Sequence, residues 1–306
     1  MPPLTTGRPP LTIALGAGGL FAAGLPVLAG DAQENLFGAA RPAGRVGDVA
    51  LFQAGDWLLG AATVPLAAGL ERVTLEVYGD IFAALRGRQL ARIWNYVPAI
   101  NGTGPAGLEN YRVFCRGRSV AFEQHHGAGF KSLLPAASAV GSAAAALTVA
   151  FAACAVPPRH VENPLQISAY DYPGDYGPRA PSFARATVVP GPDRAVAFIS
   201  GTAAIRGHAT VAPHHTREQV ACALDNLRGI SRACGLGPDL DRRGGSTRHF
   251  KIYLRHASDL SVVASLLEEK LLQETDRVTW LQADICRAEL NVEIEASLFG
   301  VTVPRA

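Results

Sequence analysis

Lysine is almost missing from this chain. Lys131, Lys251 and Lys270 are the only three, so arginine supplies nearly all of the 28 basic residues. No basic run or aromatic-interleaved patch occurs, and the net charge against 26 acidic residues is only +2. That pattern excludes a nucleic-acid-binding chain. An arginine bias instead suits bidentate capture of carboxylates. Cysteine is sparse and unpaired: Cys115, Cys154, Cys222, Cys234 and Cys286 are odd in number, far apart and free of any Cys-x-x-Cys pair. A disulfide framework or a zinc site is therefore not expected, and a reducing cytoplasm is. The eight histidines include His125-His126 and His214-His215, but no His-x-x-x-His or carboxylate cluster accompanies them. No metal is expected.

Long hydrophobic runs are also few. Residues 11–30 follow Arg8 as a signal peptide would, but Gly16, Gly18, Gly19, Gly24 and Pro26 break the run. Its start reads better as a first strand. Residues 136–156 have the length of a membrane span. They are mostly alanine with Ser138, Gly141 and Ser142, a weak insertion signal, and read as a buried helix running into a strand. The expectation is a soluble protein with no membrane segment.

What is present is ample core material. With 306 residues, 48% hydrophobic and 18% charged, the chain can build two domains of ordinary size. The second half parses as strands over 182–189 and 195–201, joined through Pro190-Gly191-Pro192-Asp193. A helix follows from an N-cap at Thr216 to about Cys234, stopped by Gly235. Then come a strand over 250–254, a helix over 260–274, and strands over 278–286 and 290–299. The first half repeats this order more loosely. Its strands fall at 11–15, 46–52, 57–63 and 92–97, its helices at 71–85 and 109–125. Each half then hides one sheet face under its own helices, and the other face needs a second sheet. The predicted fold is α+β: two ββαβαββ halves, residues 1–165 and 166–306, packed through their sheets.

The closing strand carries the sharpest chemical signal. Val292-Glu293-Ile294-Glu295-Ala296 alternates strictly, so Glu293 and Glu295 share one face, roughly 6.5–7 Å apart. Two carboxylates that close repel, and burial raises the proton affinity of one of them. Such a group can donate a proton near neutral pH. A solvated face with two surface charges is the plain alternative.

Four motifs make the second half resemble the RidA (YjgF) family. These are Pro181-Ser182-Phe183-Ala184-Arg185-Ala186, Ile199-Ser200-Gly201-Thr202, the helix around Leu224-Asp225-Asn226-Leu227, and the Glu293 strand. The departures are informative. Val278 stands where that family keeps a carboxylate-binding arginine, with Arg277 beside it, Phe183 replaces a tyrosine, and Arg185 a glutamine. An ordinary imine-deaminase site is thus dismantled. Most of the chain resembles a narrower family, the chorismatases, two-part proteins with a RidA-like second half. That likeness is carried by Arg92-Ile93-Trp94-Asn95-Tyr96-Val97-Pro98, by 109–119 from Glu109-Asn110-Tyr111 to Arg118-Ser119, by Ser168-Ala169-Tyr170-Asp171-Tyr172-Pro173 and by Tyr176-Gly177-Pro178-Arg179.

The resemblance implies removal of pyruvate from chorismate, without metal or redox cofactor. Hydrolysis of a vinyl ether begins with protonation of its methylene carbon, so the protein must supply a dry acid and anchors for two carboxylates. Glu293 is the candidate acid. The candidate substrate-binding residues are Tyr111 and Arg118, seven apart on one helix face, Tyr170 and Arg179 beside the glycine-rich inter-half segment, and Arg185. Gly201 and Ala203 end a strand where small residues let a ligand approach backbone. Cys286, seven residues before the acid, is either a small buried apolar residue or, by the resemblance, a mark of the branch that makes 3-hydroxybenzoate. The other branch makes a dihydroxycyclohexadiene carboxylate, and Ala203 or Ala204 stands where the first branch tends to carry glycine. The expected product is 3-hydroxybenzoate. An imine deaminase and a non-catalytic metabolite-binding protein are the competing classes. The expected assembly is a monomer with an internally completed site, or a homotrimer.

Overall fold

A computed structural model describes residues 7–16, 18–104 and 107–303. Four short strands open it: β1 (Thr12–Ala14), β2 (Leu20–Ala22), β3 (Val27–Ala29) and β4 (Gln33–Glu34). The first half continues as β5 (Arg41–Val46), β6 (Val49–Ala54), β7 (Trp57–Pro65), α1 (Leu70–Ala84), β8 (Gln89–Pro98), α2 (Asn110–His126), β9 (Ala136–Ser142) and β10 (Ala146–Cys154). The second sheet draws in β11 (Arg159–Val161), which lies before the expected division at residue 166, and the second half contains β12 (Ala186–Val189), β13 (Ala195–Ala203), the short pair β14 (Ile205–Arg206) and β15 (Ala209–Thr210), α3 (Thr216–Cys234), β16 (Thr247–Leu254), α4 (Leu260–Lys270), β17 (Arg277–Gln282) and β18 (Val292–Val301).

The duplication is visible in the sheets. One runs β5-β6-β7-β10-β8-β9 and the other β11-β12-β13-β18-β16-β17-β3. From β6 and from β12 onward, the two halves follow the same ββαβαββ order and strand neighbours. The helices form because apolar residues recur every three or four positions. Leu70, Val73, Val77 and Ile81 of α1 bury against the first sheet, and Val220, Leu224, Leu227 and Ile230 of α3 against the second. Gly235 ends α3 in the left-handed region at φ 83°, the stop expected of glycine there. Thr216 is the first residue of α3 and His215 holds the N-cap position.

The sheets meet face to face, helices outermost, as the α+β reading expects. A separate apolar cluster lies between them, joining Trp94, Tyr96, Ala150 and Ala152 of the first sheet to Val189, Phe198, Tyr253 and Leu281 of the second. Ala136 N–H donates to Thr187 Oγ1 (2.8 Å) and Ala137 N–H to Ser200 Oγ (2.9 Å), fixing β9 against the opposing sheet. The segment 136–156 therefore is not a helix leading into a strand. It makes two strands, β9 and β10, and its small residues serve close sheet-to-sheet approach. Ala136, Ala150 and Ala152 point between the sheets, Val149 and Phe151 toward the helices. Burial on both faces overrides alanine's helix propensity. The segment expected as a strand over 278–286 ends at Gln282, so Cys286 sits in the loop before β18. The strand expected over 11–15 is β1. β1, β2 and β4 form a sheet of their own, and β3 pairs with β17 of the second half.

Candidate active site

Glu293 is set by two neighbours in register, Ala203 of β13 and Tyr253 of β16. The β13–β18 ladder is interrupted between Ile199 and Thr202. This bulge places Gly201 against the carboxyl: a Cβ at Gly201 would stand 2.6 Å from Glu293 Cδ and closer still to Oε1. Glycine is required here by space, not by its dihedral freedom. Glu293 is 4% exposed, and among the described residues its Oε1 has no hydrogen-bond partner. Burial, and then the Glu295 charge, push its carboxyl up to about 8, while Arg92 and Arg185 pull against that. It holds its proton at neutral pH.

Glu295 is as deeply buried and behaves oppositely. Burial alone would raise it, but Arg92 and Lys251 draw it down to about 2. Its Oε2 accepts from Arg92 Nη2 at 2.7 Å, and its Oε1 accepts from Trp94 Nε1 at 2.9 Å and Lys251 Nζ at 3.0 Å. The expected pair on one strand face is thus split into a neutral acid and a fixed anion.

Beside Glu293 opens a cavity of about 200 Å³ between the two halves. From α2 come Tyr111 and Arg118, on one face as their spacing predicts; from the second half come Arg185, Gly201, Ala203, Cys286 and Glu293. Arg118 is 2% exposed, packs over the Tyr78 ring, and leaves Nε and Nη2 without partners. Arg185 is 5% exposed, donates through Nη2 to Tyr172 Oη (2.7 Å) and the Ile167 carbonyl (3.1 Å), and leaves Nε free. Neither has a carboxylate within 4 Å among the described residues. Two desolvated guanidinium groups free of any direct ion pair, though Glu162 lies near Arg185, make a site for anions. Burial pushes the Cys286 thiol up to about 12, with Glu293 adding to the effect, so Cys286 lines the cavity as a neutral thiol.

Two expected residues lie elsewhere. Arg179 Nη1 donates to Glu123 Oε2 at 2.7 Å on the outward side of α2, both half-exposed, and does not line the cavity. Tyr170 packs on the first-half core under Lys131. Arg277, the alternative carboxylate anchor, begins β17 exposed and outside the lining. Tyr172 and Tyr176, which stand in the family-like segments without a role assigned to them, and Arg287, which stands in none, also line the cavity. Arg287 lies 4.2 Å over the Tyr176 ring, donates to Thr210 Oγ1 (3.0 Å), and leaves Nη2 unpartnered at the cavity wall. Its adjacency to Cys286 was the available signal. Among the described residues no cluster of His, Cys, Asp and Glu could hold a metal ion, and no helix is long and apolar enough to cross a membrane.

Residues 37–153 match the family described as chorismatase FkbO/Hyg5-like, N-terminal. A chorismatase of Streptomyces rapamycinicus is 39% identical over 250 residues, which cover 78% of this chain and 74% of the relative. A 3-hydroxybenzoate synthase of Streptomyces hygroscopicus is 35% identical over 262 residues, covering 79% and 73%. A chorismatase crystal structure superposes with a TM-score of 0.76 at 34% identity, over 84% of this chain and 80% of the other. Identity at this level, over about three quarters of a relative, establishes that the chain belongs to the chorismatase family.

Proposed function

We propose that this protein removes pyruvate from chorismate and yields 3-hydroxybenzoate. The observation that carries this reading is one cavity holding a protonated, partnerless carboxyl together with two buried arginines free of any direct ion pair. Chorismate brings two carboxylates to such arginines and a vinyl ether to such an acid. Arg118 and Arg185 hold the carboxylates, and Tyr111 and Tyr172 border the ring. Glu293 gives its proton to the methylene carbon, leaving an oxocarbenium ion in a water-poor site. Arg92 and Lys251 keep Glu295 ionised nearby, and that fixed anion both raises the acid and stabilises the cation.

Water adds to the cation and the hemiketal collapses to pyruvate, breaking the bond between its central carbon and the ether oxygen, which stays on the ring as a hydroxyl. Aromatisation then loses the neighbouring ring hydroxyl with one ring hydrogen. Hydrolysis takes up one water and aromatisation returns it, so chorismate becomes 3-hydroxybenzoate and pyruvate with no oxidant or reductant. Cys286 borders the space beside the acid as an uncharged, polarizable group and shapes the cavity for loss of the ring hydroxyl rather than release of the diene. The test is chromatography of the products from chorismate with the wild type and with Cys286→Ala. Pyruvate and 3-hydroxybenzoate are expected from the wild type, and a mixture shifted toward the dihydroxycyclohexadiene acid from the variant. No pyruvate would refute the reaction, and a wild type making only the diene would overturn the product.

A further inference from the structure

Beneath the acid, four charged side chains lie sealed between the sheets. Lys251 of β16 commits its ammonium to three oxygens: Glu34 Oε2 at 2.8 Å, Glu295 Oε1 at 3.0 Å and Tyr96 Oη at 3.2 Å. An ammonium has three donors, so none is left over. Arg92 takes the other oxygen of Glu295. Glu34 arrives from far away in sequence, on β4 of the N-terminal arm, yet its side chain is only 11% exposed and that of Lys251 only 5%. Two cations thus face two carboxyl groups; burial raises the Glu34 carboxyl above its ordinary range and Lys251 draws it back toward the ionised form.

We propose that Glu34 is a positioning residue for the proton donor: it holds Lys251 in balance, so that Glu293 remains the one buried carboxyl beside the network without a counterion. The inference rests on Glu293 being the acid. Without the Glu34 charge, Lys251 and Arg92 would face a single anion, Glu295. The surplus positive charge would favour the ionised form of Glu293, which would then lose its proton at lower pH. The N-terminal arm would thereby set the pH range of a site it does not touch.

The other groups facing Glu293 are accounted for. Glu295 shares its strand, Tyr253 comes from β16, and Arg92 and Tyr96 come from β8. Across the cavity stand Arg118 and Tyr111 of α2, Arg185, and Cys286 with Arg287 of the loop before β18. Glu109, Arg112 and Glu289 lie farther along the lining. Among the described residues none of these hydrogen-bonds to Glu34, although its charge also acts on Glu295, Arg92, Tyr96 and Tyr253.

Glu293 can be titrated in the substrate-free protein by carbon-detected NMR of carboxyl-labelled glutamate, its signal assigned through Glu293→Gln. The alkaline limb of pyruvate release from chorismate is measured beside it. Glu34→Gln is expected to move both to lower pH by roughly one unit, and Glu34→Gln/Lys251→Met, which removes the surplus cation as well, to bring both back. A merely structural role for Glu34 would lower activity without moving the titration and would not be rescued by removing a second buried group. The proposal is overturned if Glu34→Gln leaves the Glu293 titration at the wild-type pH, or if the double variant stays with the single one. Protein that titrates as expected but releases no pyruvate would overturn the assigned reaction and leave the coupling standing.

Discussion

Glu293 and Glu295 stand one residue apart on the same face of β18, yet one holds its proton to about pH 8 and the other releases it near 2. The difference is a matter of partners. Arg92, Lys251 and Trp94 converge on Glu295, whereas Glu293 faces the Gly201 bulge and the cavity. Alternation along the strand made the pair legible in sequence. Which of the two is the acid was legible only through family resemblance, because the deciding cations lie on β8 and β16. Glu293→Gln keeps the shape but removes the proton, so turnover should fall roughly 10²–10⁴-fold, the range for one general acid. A loss below about threefold, with Glu295→Gln dead, would mean that the other carboxyl is the donor. Arg118→Ala and Arg185→Ala should chiefly raise KM, each by the equivalent of about 1.5–3 kcal/mol for a lost charge-assisted hydrogen bond. Steady-state kinetics of pyruvate release would show the split, and an unchanged KM for both would remove them from the carboxylate sites.

Among elements, α2 does the most for the site, presenting Tyr111 and Arg118 one turn-pair apart. Its distance from the cavity is fixed by packing on α1 at Gly117, where a Cβ would come within 2.6 Å of the Glu71 carbonyl oxygen and 3.1 Å of Thr74 Cβ. Gly117→Val should push the helices apart, costing roughly 1–3 kcal/mol as overpacking does, and raise KM through displaced Arg118. Denaturant unfolding beside kinetics would show both changes; a fully stable variant with normal KM would exclude Gly117 as the spacer. The helices and the second-half strands were readable because their apolar periodicity agrees with local propensity. Segment 136–156 was not, since alanine's propensity for helix was outweighed by burial between two sheets. Cys286 was drawn into a strand for a similar reason: nothing local marks where β17 lets go of its neighbour.

At the scale of the whole molecule, neither half is sufficient. The first contributes Tyr111, Arg118 and Arg92, one of the two cations that fix Glu295; the second contributes the other, Lys251, with Glu293, Gly201, Arg185 and Cys286. The face-to-face packing that the repeated strand order implied is what buries the carboxyls and arginines together. Arg179 and Tyr170, placed near the cleft by sequence position, are instead spent on Glu123 and on the first-half core. The N-terminal arm, opaque in sequence, carries Glu34 into the sealed layer beneath the acid. The account stands on Glu293 acting in its protonated form. The most direct measurement is the single-turnover rate of pyruvate release from chorismate across pH 5 to 10, which isolates the protonation step from product release. A carboxyl raised to about 8 predicts a rate level at lower pH that falls tenfold per unit above that value. A rate that instead climbs through pH 6 to 9 would mean that Glu293 works as a carboxylate base, and would contradict the mechanism.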